Sequence, residues 1–447
     1  MAPAEPSHPF RIRDYRLFWF ARLASTIANT MLVVVIGIHV YDIARQTMSI
    51  EAASFWLGMI GLAQFLPLFL LTLVAGYVAD RMDRRWIVRV MLAMEVVCAG
   101  ALAALEWWEA MSLVPLFFVA VLLGIGRAFS GPALSSFAPN LVPARLLPNA
   151  IALNSTAFTL GAVVGPVIGG FAYAYGASLP YEASSVLFAV SLGAMMLIRP
   201  IPRGNAGSSN PLKAVIEGLA YVRDNKIVLG AITLDLFAVL LGGATAMLPV
   251  YARDILHVGS EGLGQLRAAP AVGAALTAIW LSWRPLQDRV GVKMFACVAI
   301  FGIATMVFGE SRVMWLSLAS LFVLGAADMI SVNVRSSLIQ LHTPDAMRGR
   351  VSAVSGLFIS ASNELGEFRA GLSGSAFGPV AAVTGGGALA VLVTGLCAWA
   401  FPTLRRADRF LAPEPQILAE ASGKSVPEVE APAMVAGANP KAEKGLP

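Results

Sequence analysis

An internal duplication of apolar sequence constrains this chain more than any other feature. Displaced along itself by about 200 residues, Leu123-Gly124-Ile125-Gly126-Arg127 falls on Leu324-Gly325-Ala326-Ala327-Asp328. In that register Ser135-Ser136 meets Ser336-Ser337, Pro143 meets Pro344, Gly165 meets Gly366 and Gly170 meets Gly371. With a small gap, Asp80-Arg81 meets Asp288-Arg289. A duplicated bundle of apolar helices places a ligand site at the seam between its halves. The repeat also sets Arg127 against Asp328. Charges in apolar helices are costly, which makes both functional candidates.

Composition fixes the solvent. Hydrophobic residues form 57% of the chain and charged residues 13%, with a mean hydropathy of +0.73. A soluble chain carries roughly 25% charge, so this one must use lipid. The net charge of +5 lies in short loops and does not point to nucleic acid. Cys98, Cys297 and Cys397 sit in apolar stretches without metal-ligand spacing and read as packing residues. No His-Glu-x-x-His or Gly-x-Ser-x-Gly occurs, and Gly423-Lys424-Ser425 lacks the upstream glycine of a P-loop. The expectation is a non-enzyme without metal or cofactor.

A span needs about 20 apolar residues. Twelve candidates occur near 17–43, 55–79, 86–105, 112–137, 147–174, 180–198, 227–252, 262–283, 292–309, 313–340, 350–375 and 379–401. The first follows Arg11, Arg13 and Arg16 and is too long for a signal core of roughly 7–15 residues. The expected fold is therefore an all-α membrane protein of two pseudo-symmetric six-helix bundles, 17–198 and 227–404. An N-terminus (1–16), a linker (199–226) and a polar, disordered tail (405–447) complete it. Pro200, Pro202, Gly204 and Gly207 mark the linker. The segment Pro211–Val222 follows, with Leu212, Val215, Ile216 and Leu219 at amphipathic spacing for a membrane surface. Alternate loops separate the basic residues, leaving only Arg45, Arg253, Arg267 and Arg312 on the second side. The positive-inside rule then puts both termini and the linker in the cytoplasm.

The loop after the second span reads Gly76-Tyr77-Val78-Ala79-Asp80-Arg81-Met82-Asp83-Arg84-Arg85. It resembles the Gly-x-x-x-Asp-Arg-x-Gly-Arg-Arg signature of the major facilitator superfamily, with Asp83 in place of glycine. The second copy, from Asp288-Arg289 to Lys293, keeps the glycine as Gly291. Arg127-Ala128-Phe129-Ser130-Gly131 is similar to the family's fourth-helix Arg-x-x-Gln-Gly. Gly161, Gly165, Pro166, Gly169 and Gly170 resemble its antiporter motif, with Ala152 where a further glycine is usual. The resemblance covers about residues 10–405. Asn154-Ser155 through Gly170 and the Phe10–Trp19 entry are similar to its bacterial enterobactin-exporter-like, drug-efflux branch.

That resemblance implies a bacterial inner-membrane exporter of small amphipathic molecules, drug or siderophore, working by proton antiport with alternating access. Its partners would be a small-molecule substrate, protons and the bilayer, and it would act as a monomer. The loop around Asp80, Arg81, Arg84 and Arg85, with Asp288 and Arg289, would latch the halves on the cytoplasmic side. Arg127 would take part in proton coupling.

The residues themselves suggest where the proton goes. Arg127 lies about 15 Å from the cytoplasmic end of its helix, Glu364 about 21 Å along its own and Asp235 about 12 Å. Glu364, Asp328 and Asp235 all stand as proton carriers. Glu364 and Glu367 share a helical face, and Asn363 adjoins the deeper one. Asp328 is the partner symmetry suggests for Arg127. Arg22 and His39 lie near span ends, where snorkelling explains them. Glu95 reads as structural or functional. A proton-coupled importer and a non-transporting receptor or scaffold remain open as alternatives.

Overall fold

A computed structural model describes residues 8–135, 137, 140–199, 211–286 and 288–407. Side chains of Asp80 and Arg81 lie outside the described residues, as do 200–210 of the expected linker and 408–447 of the expected tail.

The first half is α1 (Arg13–Thr47), α2 (Ile50–Arg81), α3 (Arg84–Trp107), α4 (Leu113–Ser135), α5 (Leu147–Tyr175) and α6 (Leu179–Met196). The linker helix α7 (Pro211–Asp224) leads to α8 (Lys226–Gly242) and a one-turn α9 (Leu248–Val250). The second half continues with α10 (Gly259–Trp283), α11 (Val290–Glu310), α12 (Met314–Leu341), α13 (Asp345–Phe377), α14 (Pro379–Ala400) and a short α15 (Pro402–Arg405). Among the described residues ten helices are long and apolar enough to cross a membrane unaided. The other two of full length are α10 and α13. They carry Arg267, and Glu364, Glu367 and Arg369, and both pack against the opposite half. Polarity is thus concentrated where neighbouring protein, not lipid, surrounds it.

The expected span 227–252 is broken. Gly242-Gly243 ends α8, Gly242 closing against the Phe301 ring, and Pro249 cannot continue an α-ladder. A π-helix, Tyr251–Ile255, follows, a rare form that often marks functional segments. One face of the linker helix packs on the second half. Gly218 and Val222 face α13 and α8, where Val222 joins Val228, Ile232, Ile339, Val351 and Val354, while Ile216 and Leu219 point outward. Glu217 pairs with Arg350, and the Tyr221 hydroxyl donates to the His342 carbonyl.

The repeat reappears as packing. In the first half α1 packs on α5 and α6, α2 on α4, and α3 on α4 and α6; in the second α8 packs on α13 and α14, α10 on α12, and α11 on α12 and α14. The repeated glycines are the crossing points. Gly165 meets the Ile27 carbonyl of α1, and Gly366 meets the Val239 carbonyl of α8. Gly124 meets Gln64 and Pro67 of α2, and Gly325 meets Pro270 of α10. The seam obeys the same symmetry, with α2 against α13 and α10 against α5. A Cβ on Gly58 would lie 2.7 Å from the Gly371 Cα, and one on Gly170 would lie 2.8 Å from the Gly264 Cα. Backbones that close leave no room for a side chain.

Alternate loops lie at opposite ends of the bundle, and the end carrying the α2–α3 and α4–α5 loops is the basic face. Buried clusters built within one half include that of Tyr15, Phe18, Leu92 and Phe188 in the first and that of Leu234, Met294 and Leu338 in the second. A further cluster belongs to both. It joins Val34, Ile38, Tyr41, Ala53 and Leu57 to Met247, Leu248, Tyr251, Leu266 and Ala370, at the end away from the basic face.

Candidate functional site

An ion pair joins α4 of the first half to α13 of the second across the seam. Arg127 Nη1 of α4 donates to Glu364 Oε1 of α13 at 2.5 Å. The Glu364 side chain is 7% exposed and that of Arg127 is 29% exposed, so the arginine keeps an edge free while the carboxylate is enclosed. Symmetry suggested Asp328 as the partner of Arg127; the structure gives it Glu364. Helices α4 and α12 occupy equivalent places, but Arg127 points out of its half and Asp328 points into its own.

Glu367 lies one turn beyond Glu364 on the same face, within electrostatic reach of Glu364, Arg127 and Arg267. A Cβ on Gly61 would fall 2.9 Å from the Glu367 Cβ and 3.0 Å from the Glu364 carbonyl oxygen, so α2 lies directly over this turn. In the sequence Arg267, inside the expected span 262–283, counts only as a charge of the second side. It lies two turns inside α10, with Nε buried and unpartnered. The site thus combines two carboxylates and two guanidiniums from α4, α10 and α13. Asn363, adjacent in sequence, is exposed and turns off this face. Nothing in the local pattern marks Arg267, because its role depends on the orientation of α10.

A second charged group lies inside the second half. Asp235 of α8 pairs with Arg335 of α12, both largely buried. Asp235 and Asp328 line a small cavity with Ser331, Cys297 and Phe301. Arg335 lies within the expected span 313–340, and nothing in its local sequence points to a partner 100 residues earlier.

The end away from the basic face carries a third group, missed in the sequence because Arg45 and Arg253 read as ordinary loop charges. Asp254 accepts from the Tyr41 hydroxyl at 2.5 Å and from Arg45 Nη2 at 2.8 Å. Arg253 Nη1 reaches Asp42 Oδ1 at 2.6 Å, and the Tyr173 hydroxyl donates to Asp42 Oδ2 at 2.9 Å. The π-helix turns two consecutive residues of the second half toward the end of α1. One turn below, His39 is buried rather than snorkelling, with Nδ1 3.0 Å from the Tyr181 hydroxyl and Nε2 3.4 Å from Glu106.

Gly161, Gly165 and Gly169 face Thr26, Ile27 and Met31 of α1, whereas Gly170 faces α10, and Pro166 lies within α5. Asp83 caps α3 by accepting from the Arg85 backbone N–H, and the Arg85 side chain donates to it. Its φ is −67°, so that position needs no glycine. Arg289 caps α11 at φ 51°, and Gly291 packs against the Leu404 carbonyl. Arg84 opens α3, Asp288 lies in the loop before Arg289, and Gly76 lies in the last turns of α2. Glu95 is buried beside Gly126. No cluster suited to a metal ion occurs among the described residues.

Two pseudo-symmetric six-helix bundles with intramembrane charges at their seam define a membrane transporter of the major facilitator superfamily, not an enzyme. The family model for transmembrane secretion effectors matches residues 4–422, and the chain belongs to that family. It is 24% identical to the enterobactin exporter EntS of Citrobacter koseri over 397 residues, 88% of this chain and 92% of the relative. The Shigella boydii EntS is 24% identical over 413 residues, 91% and 96% of the two chains. Among solved structures, a bacterial homologue of the lysosomal transporter Spinster aligns with a TM-score of 0.66 at 16% identity, covering 90% of this chain and 98% of the other. A D-xylose–proton symporter aligns with a TM-score of 0.65 at 15% identity, covering 86% and 97%.

Proposed function

We propose that this protein exports small amphipathic molecules across the bacterial inner membrane by proton antiport, with both termini cytoplasmic. The observation that carries this reading is the Arg127–Glu364 pair, a buried charge pair with one member on each moving half. The similarity to enterobactin exporters supports the outward direction, and the sign of the loop charges supports the orientation.

The halves meet through their shared cluster and the Asp42, Arg45, Arg253 and Asp254 contacts, all away from the basic face. In this arrangement substrate enters from the cytoplasm. Rocking the halves to open the far side separates Arg127 from Glu364, because they travel on different bundles. A carboxylate left in low dielectric without its cation is unstable as an anion. Glu364 therefore takes a proton from outside, and Glu367 and Arg267, which stay with it, hold the site together. Returning inward, Arg127 displaces that proton to the cytoplasm and re-forms the pair. Asp235 and Asp328 provide a second place for a proton within the second half. The Asp80–Arg85 and Asp288–Arg289 loops hold the state closed to the cytoplasm.

The test is gradient-driven uptake of fluorescent amphiphiles and a catecholate siderophore into inside-out vesicles. Uptake should collapse with an uncoupler and in Glu364→Gln. Uptake insensitive to the uncoupler would eliminate proton antiport.

A further inference from the structure

Arg22 is an intramembrane cation without a counter-ion among the described residues. It lies nine residues into α1, about 13 Å from the start of that helix. Snorkelling would carry its head to the surface. Instead Nε is buried and unpartnered, and the guanidinium carbon sits 5.2 Å from the centre of the Phe158 ring on α5. Arg127 has Glu364, Arg335 has Asp235 and Arg267 has the field of Glu367. Arg369 is walled in against Gly386 of α14. No carboxylate among the described residues pairs with Arg22. A ring face repays only part of the cost of taking a guanidinium out of water.

The surroundings are laid out as an open strip. Tyr15 and Trp19 bind the Ala150 and Leu153 carbonyls, which clamp α1 to α5 below Arg22. Thr26 and Thr30 meet Gly161 above it. Between the clamps, Phe158 is 50% exposed and Arg22 is partly exposed. Asn154, one turn before Phe158 on the same face, has its side-chain oxygen buried and unpartnered. Only Nε of the guanidinium is sealed, so its two amino groups form the free edge, which suits a planar anion held bidentately.

We infer that Arg22, Phe158 and the Asn154 strip form a ligand subsite that takes a planar aromatic carboxylate, whose anion completes the charge of Arg22 and whose ring lies against Phe158. This names a substrate class for the transporter reading and rests on it for its purpose. Binding alone tests it, without any gradient, so a failure of proton antiport would leave the result readable.

The experiment uses the full chain in lipid nanodiscs, with 1-naphthoate as the probe and its neutral amide, 1-naphthamide, as the control. Quenching of tryptophan fluorescence reads binding, with Trp19 one turn from Arg22. Wild type should bind naphthoate saturably and naphthamide at least about tenfold more weakly. Arg22→Gln should lose naphthoate binding, and Arg22→Lys, which keeps the charge but not the planar fork, should weaken it about tenfold while still preferring naphthoate to naphthamide. Asn154→Asp supplies an internal counter-ion, so it should abolish naphthoate binding while raising the melting temperature, which distinguishes a filled site from a misfolded one. Absence of saturable naphthoate binding in wild type, or unchanged binding in both Arg22→Gln and Asn154→Asp, would overturn the proposal.

Discussion

Arg127 and Glu364 meet at 2.5 Å although 237 residues separate them, and the pair bridges the two halves of the transporter. Neutralising either residue alone strands the other charge in a largely enclosed place. Breaking a buried pair in that way costs about 3–5 kcal/mol, and the partial exposure of Arg127 moves this site toward the low end. Glu364→Gln should therefore lower the melting temperature, and Arg127→Gln/Glu364→Gln should recover most of it. Gradient-driven transport should be absent from both variants. Recovery of transport in the double variant would show that the pair is only structural.

The contacts of Asp254 and Asp42 act as a clasp away from the basic face. Asp254→Asn removes the charge that holds Arg45, and with Arg253→Ala it frees the π-helix from α1. An exposed or partly exposed pair contributes at most about 1 kcal/mol, equivalent to roughly a fivefold population shift. The readout is maleimide labelling of a Ser54→Cys thiol, a position completely buried at the seam. With two pairs removed, labelling should accelerate about five- to thirtyfold in the clasp variant. An unchanged rate would remove the clasp from the gating equilibrium.

The Gly58–Gly371 crossing sets how closely the halves approach. A side chain at Gly58 must push against backbone, because its Cβ would lie 2.7 Å from the Gly371 Cα. Gly58→Val should cost about 1–3 kcal/mol by overpacking. Helical content should be preserved and transport lost. The same Ser54→Cys thiol should become reactive. Full transport by Gly58→Val would mean that α2 and α13 need not touch during the cycle.

Glu95 tests the opposite expectation, that a buried carboxyl can be dispensable. It is 4% exposed and packs beside Gly126 among the apolar side chains of the first half. Among the described residues it makes no ion pair. A neutral side chain of the same shape reduces the desolvation cost, because an unpartnered amide costs about 1–3 kcal/mol to bury and an isolated charge more. Glu95→Gln should melt a few degrees higher and transport at the wild-type rate. Transport lost in a well-folded Glu95→Gln would place this residue on the coupling path.

The amino-acid sequence by itself determined the solvent, the span pattern and the duplication. These follow from hydropathy and spacing, which act over a few turns. The repeated glycines were legible as a pattern, Gly165 with Gly366 and Gly170 with Gly371, because close crossings require small residues wherever they occur. Their partners were not legible. Only the tertiary structure decided that Arg127 meets Glu364 and not Asp328, that Arg267 lies inside the bundle beside Glu367, and that Arg22 turns inward to Phe158. Each depends on how one helix is rotated about its axis relative to another that is distant in the chain. That rotation is set by the whole packed surface, of which a local motif records only one side.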